Sequence, residues 1–213
     1  MNRREAVKSL GMGVGFLVAT PSILSLLQSC ESEPEFHPVF VSEGEGHALR
    51  EMVGLILPSD KQIPGARALS IHSFIDAFWG KVLPEEEQSY VKLGFVLLAE
   101  EFKGMFNKEL SQGTTKEYDQ LLAKYLKTSK EQQKAYAKKI GDFMQTVQKD
   151  ASVKPDRDAA IFTLLAGIRG AAIWGWTINE EIGEKVLWYD PIPGQYLGCV
   201  SPEEYGNGRI MSL

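Results

Sequence analysis

Ala159–Ile178, AAIFTLLAGIRGAAIWGWTI, is a run of twenty residues with one charge, Arg169. Whether it crosses a bilayer or fills a core decides the fold. A span needs about 20 predominantly apolar residues, which the run barely supplies. An arginine at the centre of a spanning helix costs about 2.5–3.5 kcal/mol on insertion scales, and Gly167, Gly170 and Gly175 dilute the hydrophobicity further. The run therefore reads as the central core helix of a bundle, opened by Pro155-Asp156, with Arg169 paired to an acid or a carbonyl.

Helical periodicity continues on its N-terminal side. Glu43 to Leu57 repeats Leu49, Met52, Val53 and Ile56 at three- and four-residue spacing and stops at Pro58. PSDKQIPGA, Pro58 to Ala66, is a turn-rich loop bounded by prolines. A second helix is expected from about Ala66 to Val82, with Leu69, His72, Phe74, Ile75, Phe78 and Trp79 mostly to one side. Pro84-Glu85-Glu86-Glu87 starts a third, because proline suits the first turn and acids suit the positive end of the helix dipole. Its apolar set Val91, Phe95, Leu98, Phe102, Phe106 and Leu110 runs on until Gly113-Thr114-Thr115 breaks it. Tyr118, Leu121, Leu122 and Tyr125 mark a shorter helix. Ser129 caps the next, whose buried face would be Tyr136, Ile140, Phe143 and Val147 and whose lysines read as a solvated face. No segment alternates at period two. The expectation is all-α: a single compact bundle of about six helices with a proline- and glycine-rich C-terminal loop.

A composition of 44% hydrophobic and 24% charged residues is that of an ordinary globular domain. The net charge of -5 offers no basic footprint for a phosphate backbone, so nucleic acid is not an expected partner.

Residues 1–29 read as an address. Arg3 and Arg4 are paired, Lys8 follows, and Ser9 to Ser29 carry no charge. The stretch resembles a twin-arginine export signal, except that Ala6 stands where an aromatic residue is usual. It ends in Leu27-Gln28-Ser29-Cys30, similar to a bacterial lipobox, which makes Cys30 the expected lipidation site. Cleavage without lipid and an uncleaved membrane anchor are the other two readings. Residues 30–42 then form a tether, 43–200 the helical domain and 201–213 a C-terminal tail. Two or more acyl chains hold a protein stably on a membrane. The expected location is therefore the periplasmic face of an inner or outer membrane. Losing residues 1–29 removes three cations and one anion, which moves the net charge from -5 to -7.

Cofactor chemistry has little to stand on. The sequence contains no Cys-x-x-Cys-His, no cysteine set for an iron–sulfur cluster and no phosphate loop. His37, His47 and His72 are few and scattered; His47 with Glu43 or Glu51 has only the spacing of an ordinary helix face. Ser59-Asp60 beside His72 could be drawn as a hydrolase set, but Ser-Asp before a helix is more often a turn or cap, and Asp60 and Asp76 read as turn and surface residues. The expectations are no catalytic residue, no metal and no cofactor in this chain.

The C-terminal stretch YDPIPGQYLGC, Tyr189 to Cys199, follows a segment holding Trp174, Trp176 and Trp188, three of the four tryptophans. If Cys30 carries lipid, Cys199 has no partner within the chain, and an odd cysteine in an exported protein suggests a free thiol or an intermolecular bond. Trp176, Trp188, Tyr189, Asp190, Pro191, Pro193, Gly194, Tyr196 and Cys199 are the candidate partner-binding residues, since rigid aromatics gather at interfaces; the other reading is that the tryptophans seal the bundle while the prolines and Gly194 stop the helix in a turn.

Two blocks resemble the gluconate 2-dehydrogenase subunit 3 family. The first is Leu55-Ile56-Leu57-Pro58-Ser59-Asp60 with Pro64-Gly65-Ala66 and Phe74-Ile75-Asp76; the second is Trp176-Thr177 with Tyr189 through Cys199. The likeness runs from about residue 45 to 200, and Gly104 to Lys154 adds helix pattern only. It implies a non-catalytic accessory subunit of a complex. In such a complex a large flavoprotein with FAD oxidises a sugar or sugar acid and passes electrons to a cytochrome c or another membrane acceptor. The small subunit would help the flavoprotein fold, leave the cell and stay at the membrane. The alternative is a stand-alone envelope lipoprotein that scaffolds or binds a ligand.

Overall fold

The computed structural model describes residues 36–150, 152–190, 194 and 199–211. Arg3, Arg4 and Cys30 lie outside the described residues, as do Pro191, Pro193 and Tyr196. The described elements run in the order α1 Glu43–Ile56, α2 Ile71–Lys81, α3 Glu85–Phe106, a 3-10 turn Leu110–Gln112, α4 Thr115–Leu126, α5 Lys130–Val147, α6 Arg157–Thr177, α7 Glu180–Lys185 and α8 Pro202–Gly206. Among the described residues no strand occurs, only an isolated bridge between Trp188 and Met211. The six longer helices form the expected all-α bundle.

The apolar run lies in α6, which is long and apolar enough to cross a membrane by length and composition. Here it touches each of α1 to α5. Its Ile161, Leu165, Ile168 and Ala172 are fully buried against Leu49, Phe95, Leu98, Leu121 and Tyr125 of the common core. Burying one such large side chain stabilises by about 1.5–3 kcal/mol, so the bundle accounts for the apolar residues on this face of the helix, while Ile173 and Trp174 near its end stay exposed. Gly175 lets α6 approach α2 closely, since a Cβ there would meet Phe74 Cδ1 at 2.8 Å. Arg169 departs from expectation: it forms no ion pair or hydrogen bond among the described residues and lies partly exposed.

Caps set the helix starts. Ser42 and Glu45 form a capping box on α1, and Thr114 and Glu117 form one on α4. Ser129 accepts from Gln132 N–H on α5, as its sequence position suggested, and Asp156 accepts from Ala159 N–H on α6. Each such cap contributes about 1 kcal/mol.

Two helix boundaries and one buried face differ from the sequence reading. Helix α2 begins at Ile71 rather than near Ala66, because Ser70 takes a left-handed conformation (φ 52°) that interrupts the helix. Asn107, also left-handed, ends α3 before Leu110, whose carbonyl accepts the buried Tyr118 hydroxyl in the 3-10 turn. On α5 only Phe143 is buried; Tyr136, Ile140 and Val147 are half-exposed, so this helix is peripheral.

The largest difference concerns Asp76, expected at the surface. It is 1% exposed, and its carboxylate accepts three backbone N–H groups from the segment expected to be a tether: Val39 at 2.6 Å on Oδ2, and Phe40 and Val41 at 3.0 Å on Oδ1. Phe40 stacks edge-on with Trp79 under the Lys92 ammonium, and Val41 joins the core. The last residues of the tether are thus fastened to the bundle.

Candidate functional site

The C-terminal aromatics separate into structural and available residues. The Trp176 ring N–H donates to the Pro64 carbonyl at 2.9 Å, tying the end of α6 to the 58–66 loop. That loop holds its own shape: Ser59 Oγ accepts from Gly65 N–H, and Asp60 Oδ1 accepts from Gln62 and Ile63 N–H. These two N–H groups keep the Asp60 carboxyl below its usual range. Gly65 is required sterically, because a Cβ there would lie 2.4 Å from Leu57 O and Ser59 N. The two sequence blocks around Pro64 and Trp176 therefore meet in space.

Trp188 is likewise committed to the fold. Its N–H donates to the Ile210 carbonyl at 2.8 Å, its ring lies 6.4 Å from that of Tyr205, and Gly206 packs against its face. The segment 201–211, expected as a tail, thus returns through α8 to Trp188. Asp190 is half-buried. Tyr189, at 52% exposure, and Gly194 and Cys199 face solvent, and the Cys199 thiol is free.

The exposed apolar surface centres on a tryptophan that the sequence reading left out of its candidates. Ile173, Trp174 and Ile178 are 46%, 41% and 42% exposed at the C-terminal end of α6, with Arg169 and Gly170 one turn earlier. The Trp174 ring is held 5.2 Å from Phe74 and 5.1 Å from Phe78, so an exposed aromatic is fixed in place by its partly buried neighbours. An exposed Trp held in place before any partner arrives is the kind of residue that serves as a binding hot spot. A signal was present in the sequence: residues two apart on a helix, such as Trp174 and Trp176, point to nearly opposite sides, so both could not enter one core.

A second surface feature is a cleft of about 470 Å³ between α3, α5 and α6. Tyr90, Ile140, Phe143, Met144 and Leu164 line it, with Glu86 and Glu87 among its acids.

Nothing described assembles a nucleophile with a base. Ser59 and Asp60 are spent on the loop, and His72 is 4% exposed. Burial, aided by Arg50 and Arg67, lowers the His72 pKa to about 4 and keeps the ring neutral at pH 7. His47 Nε2 faces the Gly113 carbonyl at 3.3 Å and supports the 3-10 turn. Among the described residues no three His, Cys, Asp or Glu side chains converge as metal ligands.

Residues 43–194 match the family model described as gluconate 2-dehydrogenase subunit 3. No curated protein and no solved structure matches the chain.

Proposed function

Since this chain belongs to the gluconate 2-dehydrogenase subunit 3 family, and so is an accessory subunit of a dehydrogenase complex, we propose that it docks, exports and tethers the complex's large flavoprotein. In this reading the flavoprotein carries FAD, oxidises a sugar or sugar acid, and delivers electrons to a cytochrome c or another membrane acceptor. The small subunit assists its folding, leads it out by the twin-arginine route through Arg3 and Arg4, and holds it on the periplasmic side through lipid on Cys30. The observation that carries the docking role is the Ile173–Trp174–Ile178 surface with its ring-stacked tryptophan. Tyr189 and Cys199 extend the set of exposed candidates, and the free thiol is available for an intersubunit disulfide.

Hot-spot truncation costs about 2 kcal/mol or more, some 30-fold in affinity. Trp174→Ala should therefore weaken flavoprotein retention by at least about that factor while the isolated subunit keeps its helical content. Undiminished retention would exclude Trp174 from the interface. A stand-alone ligand-binding lipoprotein would instead use the α3/α5/α6 cleft, and would be recovered from membranes without a flavoprotein.

A further inference from the structure

The α3/α5/α6 cleft takes up side chains that a closed bundle would have packed into its core. Ile140 and Phe143, two members of the apolar face of α5, line it with Met144, which is 38% exposed. Helices α3 and α6 meet at Gly94, where an added Cβ would lie 3.0 Å from Leu164 Cβ. The α3 residues that line the cleft run from Glu86 to Leu93 and all precede that contact. On α6, Gly167 lines the cleft with no side chain, and nothing lies within 4 Å of the position a Cβ would take there. The resulting space of about 470 Å³ falls within the roughly 300–1,000 Å³ typical of small-molecule sites, whose usual lining is mainly apolar with a few polar groups.

The charged groups of the cleft share one sign. Glu86 and Glu87 stand in the first turn of α3, where the helix dipole favours the ionised carboxylate. The Tyr90 hydroxyl donates to Glu86 Oε1 at 3.3 Å, and the Tyr90 ring meets that of Phe143 at 80° with centroids 6.1 Å apart. Among the described residues neither acid forms an ion pair, and no Lys, Arg or His lines the cleft. An anionic head would face two carboxylates with no compensating cation. A cationic head would find both opposite charge and aromatic rings, each of which attracts it.

We propose that this cleft is a binding site for a small amphiphilic cation, with its ammonium-type head at Glu86 and Glu87 and its apolar body against Leu83, Ile140, Met144 and Leu164. The site shares no residue with the Ile173–Trp174–Ile178 surface. It therefore stands whether or not the flavoprotein docks at that surface, and gives the subunit a ligand site in addition to its docking site.

The test uses the full chain in neutral phosphatidylcholine vesicles and two photoactivatable probes of matched length, a decylamine and a decanoic acid, each with a diazirine on the chain. Cross-links are mapped by peptide mass spectrometry. The amine probe should label the segments around Tyr90 and Met144 several-fold more than the acid probe, and excess decylamine should remove the label. Gly167→Leu places a side chain in the cleft where there is room for it, and leucine suits a helix better than glycine. It should cut labelling several-fold with helical circular dichroism unchanged. Glu86→Gln with Glu87→Gln, at two exposed positions, should remove the preference for the amine. Equal labelling of the wild type by the two probes, or labelling that Gly167→Leu leaves unchanged, overturns the proposal. So does a wild-type chain whose cleft takes neither probe while Gly167→Leu releases the flavoprotein, because the cleft would then receive a segment of that partner. Flavoprotein retention in Trp174→Ala is a separate readout, so failure of the docking reading leaves this one intact.

Discussion

Asp76 is the residue on which the N-terminal part of the domain depends. Its carboxylate satisfies three N–H groups in a nearly dry setting, and charge-assisted bonds of this kind are individually stronger than neutral ones. Replacing it by alanine strands those donors, so Asp76→Ala should lower stability by about 3 kcal/mol or more in urea unfolding. Asp76→Asn keeps one oxygen acceptor and should lose less. Equal stability of Asp76→Ala and wild type would show that the clasp contributes nothing. His72, one turn earlier on the same face, gives a pH signature. Its folded pKa of about 4 lies below the ordinary 6.5, so between those values the unfolded chain binds the proton more readily. Its contribution is complete above about pH 6.5 and is lost as pH falls toward 4, by up to about 3 kcal/mol in all. His72→Leu should flatten that part of the stability–pH curve; an unchanged slope would assign it to other groups.

At the scale of elements, α6 and α2 show what sequence patterning can and cannot convey. The apolar run Ala159–Ile178 was legible as a core helix because its glycines and Arg169 argued against a span, and the caps Ser129 and Asp156 could be read directly. Helix α2 was legible as a helix but not at its start. The turn 66–70 keeps helical-looking spacing at Leu69 while the left-handed Ser70 interrupts the backbone. The carboxylate of Asp76 had a readable trace, since His72, Ile75, Asp76 and Trp79 share the i, i+3, i+4, i+7 stripe that faces the core. What no pattern could supply was its partner, three N–H groups more than thirty residues away. The C-terminal region divides in the same way. Composition identified it as aromatic and loop-rich, but only tertiary packing shows that Trp176 and Trp188 face inward contacts while Trp174 is presented. Two substitutions on α6 should therefore behave differently. Leu165→Ala, at a fully buried position, should cost about 2–5 kcal/mol in unfolding, whereas Trp174→Ala should cost far less stability and more partner binding. If the two destabilise equally, Trp174 is a core residue and not a docking residue.

At the scale of the whole molecule, the described polar side chains that could be drawn as chemistry are tied into loops, caps and the core. His47 and His72 serve the fold, the loop serine and aspartate form a turn, and the exposed features include an aromatic end and a free thiol. Membership of the gluconate 2-dehydrogenase subunit 3 family places such a molecule within a dehydrogenase complex, and the proposed docking role rests on the exposed aromatic end of α6. The most direct test of this account is recovery of the full-length chain from its native membranes in mild detergent, followed by mass spectrometry and flavin absorbance. The account predicts a larger flavoprotein in stable proportion to wild type and much less of it with Trp174→Ala. Recovery of the wild-type chain alone, with no flavin, would contradict it.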